Sequence, residues 1–153
     1  MELAFIWNEK NETEKAIEIL EDAIMEDFSN KDARDFLALL YSKKEDWAKW
    51  LNLREREIEI ASDSRYKVWL HEVSGLVWHK IGNIDQALEI YKKGLEIEPE
   101  NLLLIKRIEE IYSFKEDFFN LVEIFKQELA INDLSSERRE SIFLQIAEIH
   151  EFK

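Results

Sequence analysis

The sequence predicts an all-α protein built from antiparallel helix pairs, and three observations carry that expectation. Its 153 residues include one proline and three glycines, too few for a series of tight hairpins or long irregular loops. Hydrophobic residues supply 46% of the chain and charged residues 36%, with Glu, Lys, Leu and Ile dominant, as long amphipathic helices require. The chain also repeats itself. Tyr41-Ser42-Lys43-Lys44-Glu45-Asp46-Trp47 returns as Tyr112-Ser113-Phe114-Lys115-Glu116-Asp117-Phe118, 71 residues on, and the register holds through Ile58 against Leu129 and Ile60 against Ile131.

Between these copies the helical signals are clearest. Ile84, Leu88, Tyr91 and Leu95 recur at three- and four-residue steps, which is one stripe of an α-helix. Asn83 followed by Gln86 reads as a capping box that satisfies orphan amides at a helix start. Pro99 has no N–H and biases Glu98 away from helix, so the chain turns there. Taken together, Gly75, Trp78, Gly82-Asn83, Ala87, Tyr91, Gly94 and Pro99 resemble the tetratricopeptide repeat family. That family stacks helix–turn–helix units of roughly 34 residues, with small residues where the two helices touch. Gly75 and Ala87 match the two small positions, Gly94 a third, and Trp78 and Tyr91 the aromatic ones.

The resemblance implies a single array over 1–153, stacked into a right-handed superhelix, an α-solenoid. Carried along the chain, its register gives a repeat at about 1–30, with Trp7, Ala16, Leu20 and Ala23 at patterned positions. The next covers 31–67, with Ala38, Tyr41 and Trp50; the closest match is 68–101. A fourth covers 102–139, with Ile108, Tyr112, Leu121 and Phe125, and a final helix, 140–153, carries Ile146, Ala147 and His150. The second and fourth units depart from the pattern. Trp50 and Leu121 stand where a small residue is expected, and Glu57 and Glu128 replace the later one. A duplicated pair of repeats, one regular and one loose with a wider helix crossing, accounts for both. The first unit lacks the start of its opening helix and the last lacks its second helix, so the chain reads as a piece of a larger protein. The alternative for the C-terminal end is a natural cap: Ile142, Ile146 and Ile149 form one stripe, with Gln145, Glu148 and Glu151 elsewhere.

Charge and motif content narrow the function. A formal net charge of −13 repels phosphate backbones and argues against nucleic acid. There is no cysteine, hence no disulfide or thiolate metal site. No apolar stretch approaches the roughly 20 residues of a membrane span. No basic region followed by an apolar run opens the chain, which leaves the cytoplasm as the default expectation. No Gly-rich phosphate loop, Gly-x-Ser-x-Gly or His-Glu-x-x-His occurs. His71 and His79 are eight residues apart, too far along one helix to share an ion, and His150 falls at a patterned structural position. Thirty-four acidic residues make carboxylate pairs common by chance, so none stands out as a general acid and base. The expectation is a binding protein without cofactor, metal or catalysis.

Trp69 is the candidate contact. Trp7 and Trp78 sit at inter-helix positions and read as core, while Trp47 and Trp50 read as filling a widened crossing. In a tetratricopeptide-like register Trp69 lies on the face of a first helix that lines the concave groove, with Glu72, Val73, Leu76 and His79. Neighbouring repeats would add Phe36 and Leu39 on one side and Lys106, Arg107 and Glu110 on the other. Packing between repeats is the alternative for Trp69. A carboxylate clamp of the kind some relatives use is disfavoured, because Asp35, Glu72, Leu39 and Leu76 stand at the corresponding places. The groove then suits a protein or peptide partner, one with an acidic residue beside an apolar anchor. End-to-end self-association is a further expectation, and a structural spacer or oligomerisation segment is the alternative function.

Overall fold

The computed structural model describes residues 2–151, and the described residues form nine α-helices and no strand. They are α1 (Glu2–Glu9), α2 (Thr13–Glu26), α3 (Lys31–Lys43), α4 (Trp47–Ile60), α5 (Ser64–Lys80), α6 (Ile84–Ile97), α7 (Leu102–Phe114), α8 (Phe118–Leu129) and α9 (Ser136–Glu151). They fall into two compact units, the first ending at Ile60 and the second beginning at Ala61. In unit 1, α1 packs on α2, α2 on α3 and α3 on α4; in unit 2 the same succession runs from α5 to α9.

The pairing follows from four nearly identical turns. Trp7, Tyr41, Trp78 and Tyr112, near the ends of the first helices, each accept a bond at 2.9 Å from the amide five residues on, at Glu12, Asp46, Asn83 and Asp117. This closure needs one left-handed residue, and Asn11, Glu45, Gly82 and Glu116 supply it with φ of 60°, 56°, 84° and 55°. Only Gly82 adopts that conformation without strain. The next helix then starts on a cap. Asn83 Oδ1 accepts from the Gln86 amide at 3.2 Å, as its spacing predicts, and Asn30, Asp63, Asn101 and Asp117 cap α3, α5, α7 and α8 in the same way. Two starts come earlier than the repeat register suggests. α5 begins at 64 instead of 68 because Asp63 holds the Tyr66 amide, and α9 begins at 136 instead of 140 because Ser135 Oγ accepts from Arg138.

The two classes of repeat differ at the crossing. In the regular pair Tyr91 is fully buried over Gly75, so close that a Cβ on Gly75 would lie 2.2 Å from its ring. Tyr91 takes the place expected of Trp78, which is only half-buried at the edge of that core; Trp7 is also half-buried, with the ammonium groups of Lys10 and Lys15 over its ring. Trp50 and Leu121 are buried in the loose pairs, filling what a small residue would leave empty.

Glu57 and Glu128, where the pattern calls for something small, are 0% exposed. Each is held by arginine. Arg34 on α3 donates through Nε to Glu57 Oε1 at 2.6 Å, and Arg54 donates to Oε2. Glu128 takes a bidentate grip from Arg138 on α9, at 2.8 and 2.7 Å. The second case is a substitution of one contact for another. Gly94 packs against Leu104, ten residues on, and Glu128 pairs with Arg138, also ten residues on. A small-to-aliphatic contact in one repeat becomes an ion pair in the next.

Candidate functional site

The face built from the first helices of unit 2 gathers most of the candidate residues. Trp69, Glu72, Val73, Leu76 and His79 share one side of α5 by their three- and four-residue spacing. Trp69 remains 43% exposed and its ring stacks on Tyr66, with centroids 5.6 Å apart and planes 15° from parallel. Glu72, Val73 and Leu76 are half-buried beside it and His79 is exposed. The pair is therefore an aromatic platform with open area.

Tyr91 links this face to α7. Its ring passes over Gly75, and its hydroxyl feels the charges of Arg107 and Glu110 on α7 and Glu72 on α5. Burial pushes the phenol up to about 12, with Arg107 working the other way. Arg107 pairs with Glu110 at 3.3 Å, while its Nε and the Tyr91 hydroxyl are buried without a hydrogen-bond partner in the protein. Arg107 thus has its charge matched within its own helix. Lys106 is exposed and is the cation offered outward, although its charge also helps keep Glu128 ionised.

Phe36 and Leu39 lie on α3 in unit 1 and divide in role. Leu39 is exposed, but Phe36 is buried and stacks on Phe5 of α1 at 4.3 Å, so its ring is spent on packing. Spacing along α3 carries no information about the α1 ring that covers Phe36.

Sequence reasoning missed a pair of crevices among the second helices. One, of about 470 Å³, lies between α2 and α4 above Leu37 and Tyr41. Its counterpart 71 residues on, of about 510 Å³, lies between α6 and α8 above Ile108 and Tyr112. Of their charged residues, Glu21 pairs with Lys49 and Glu123 with Lys126, while Arg56 lies over the Phe28 ring and Lys92 over the Tyr112 ring. The duplication is legible in the sequence, and the crevices repeat with it, each floored by an aliphatic residue and a tyrosine whose counterparts stand 71 residues apart.

No group of three His, Cys, Asp or Glu among the described residues could hold a metal ion, and no described helix is long and apolar enough to cross a membrane. His71 is buried beside Gly94, and burial lowers its pKa below the usual histidine value.

Residues 74–101 match the tetratricopeptide repeat family, the segment whose Gly75, Ala87, Tyr91 and Gly94 carry the resemblance. No curated protein sequence matches the chain. Among solved structures, MamA is similar with a TM-score of 0.59 at 21% identity, over 92% of this chain and 76% of that one. Pseudomonas aeruginosa pilF is similar with a TM-score of 0.55 at 14% identity, over 97% of this chain and 66% of that one. A tetratricopeptide repeat protein from Parabacteroides merdae gives a TM-score of 0.62 at 15% identity, over 98% and 59%. At these identities the likeness is one of fold, and it places the chain in the α-solenoid class of helix-pair repeats.

Proposed function

We propose that this chain is a protein-interaction scaffold whose first-helix face in unit 2 docks a polypeptide segment. The observation that carries the proposal is Trp69, a large exposed aromatic stacked on Tyr66, on the same side of α5 as Val73 and Leu76. Repeat arrays of this fold generally serve as non-enzymatic scaffolds. The ligand chemistry that fits is an aliphatic or aromatic anchor on the α5 residues with a nearby carboxylate drawn to Lys106. Arg107 contributes less than its sequence position suggests, because Glu110 already engages it.

A displayed library of random peptides, panned against the chain, tests this. Enriched peptides should carry an apolar anchor next to an acidic residue. Lys106→Glu should weaken their binding about tenfold or more, roughly 1.4 kcal/mol; because Lys106 also acts on Glu128, binding is measured well below the unfolding temperature of the variant. Trp69→Ala should weaken it further. Unaltered binding by both variants, or no enrichment at all, contradicts the proposal.

Self-association is the second reading, and α9 favours it. Phe143 and Leu144 on α9 are each 60% exposed, so that helix does not present a wholly polar outer side. The mass measured by light scattering should rise with concentration, and Phe143→Ser with Leu144→Ser should abolish the rise. A mass independent of concentration in the parent chain removes this reading.

A further inference from the structure

The docking of α9 rests on an unusual arrangement of charge. Among buried residues α9 contributes only Ile142, with Ile146 and Ile149 packed at the edge of the core. Its first turn carries two adjacent arginines, Arg138 and Arg139, at the helix end where the macrodipole disfavours cations. Both are turned away to other elements. Arg139 donates to the carbonyls of Leu129, at the C-terminal end of α8, and Leu134, in the connection to α9, at 2.7 and 3.3 Å. Arg138 reaches two carboxylates at once, Glu128 on α8 and Glu109 on α7, the latter at 2.7 Å.

One guanidinium thus faces two acids in a largely enclosed place. The side chain of Glu128 is fully buried, that of Glu109 is 13% exposed and that of Arg138 is 25% exposed. Glu109 Oε2 and Glu128 Oε2 accept from the same Arg138 nitrogen, each at 2.7 Å, and Glu109 Oε1 has no donor from the protein. A proton on one of the two carboxyl groups balances the set. With it the cluster is neutral; without it, two anions confront one cation away from water, which is unfavourable.

We propose that Glu109, Glu128 and Arg138 form a proton-controlled latch, which holds α9 against α7 and α8 when the carboxyl pair shares a proton and loosens it when that proton leaves. The charged groups facing Glu109 are Glu128 from α8 and Arg138 from α9, and Lys106 of α7 acts on Glu128. Burial, and then the Glu128 carboxyl beside it, raises Glu109 from its ordinary 4.5 to about 8. Burial works against ionised Glu128 as well, but Arg138 and the Glu109 carboxyl hold it below the usual glutamate value. The folded chain therefore keeps a proton on Glu109 that the unfolded chain releases near 4.5. Stability falls as pH rises between those two values. Glu128 acts in the opposite sense, its contribution lost as pH falls below the ordinary glutamate range. The grip on α9 is firmest in mild acid and weakens toward pH 8.

Hydrogen exchange of the full chain, corrected for intrinsic base catalysis, reads this directly. Protection of the α9 amides should drop about a hundredfold between roughly pH 6 and 9, while that of α6 changes little. Glu109→Gln, which keeps a donor toward Glu128 but cannot ionise, should hold α9 as firmly at the higher pH as at the lower. In the parent chain the Glu109 carboxyl carbon should titrate near neutrality or above by NMR, a reading that does not depend on the variant folding. A flat α9 profile, an unchanged fall in Glu109→Gln, or a Glu109 carboxyl titrating at the ordinary glutamate value overturns the latch.

Discussion

Arg34→Met is expected to destabilise unit 1 by about 3–5 kcal/mol, although methionine fills much of the same space. Arg34 is almost fully buried and does three things there. It donates to Glu57 Oε1, donates to the Phe28 carbonyl and covers the Phe28 ring with its guanidinium, 5.3 Å from the centroid. Its removal takes one of the guanidinium groups from the Glu57 carboxylate, which has no exposed surface and keeps its bond from Arg54. Water cannot reach the group to compensate, so the full desolvation penalty appears. The companion variant separates this from lost packing. Glu57→Leu in the Arg34→Met background should recover a large part of the loss, because apolar replacement of a whole buried pair is often close to neutral. A single-variant loss below about 1 kcal/mol in urea unfolding would show that the buried pair is not a determinant of stability.

Tyr91→Ala is expected to destabilise unit 2 by about 3–5 kcal/mol, more than Trp78→Ala, despite the larger indole. Tyr91 is fully enclosed and fills the space over Gly75, while Trp78 lies at the edge of the core with part of its ring in solvent. Truncating Tyr91 leaves a cavity between α5 and α6 that a backbone as close as Gly75 cannot fill. The reverse change is informative too. Gly75→Ala introduces a methyl 2.2 Å from the ring, so Tyr91 must move and the loss should be about 1–3 kcal/mol or more. Equal losses for Tyr91→Ala and Trp78→Ala in denaturant melts would contradict this ranking.

Much of the fold could be read from residues alone, for identifiable reasons. The repeated Tyr-Ser…Asp-aromatic segment marks two turns, and the structure shows why it recurs: the tyrosine carbonyl, the left-handed glutamate and the capping aspartate act as one closure. Asn83 signals a helix start because Gln86 follows at the right spacing. Asp63 and Ser135 cap just as well but precede residues with no such signal, so α5 and α9 start earlier than the repeat length suggests. Glu57 and Glu128 were visible as departures from a pattern. Their burial was not, because a glutamate in a helix of an acidic chain ordinarily faces water, and Arg34 lies far from Glu57 along the chain. The candidate site was legible in the same partial way. Periodicity put Trp69, Val73 and Leu76 on one side of α5, but only the three-dimensional arrangement revealed Phe5 stacked on Phe36 and Glu110 holding Arg107.

The most direct test of the proposed docking face is residue-resolved NMR of the labelled chain, titrated with a peptide selected by panning. The account predicts shifts concentrated at Trp69, Val73, Leu76 and Lys106, saturating together, with the second-helix residues Met25 and Phe119 unmoved. Shifts confined to the second helices, with the Trp69 indole unperturbed at saturation, would contradict it.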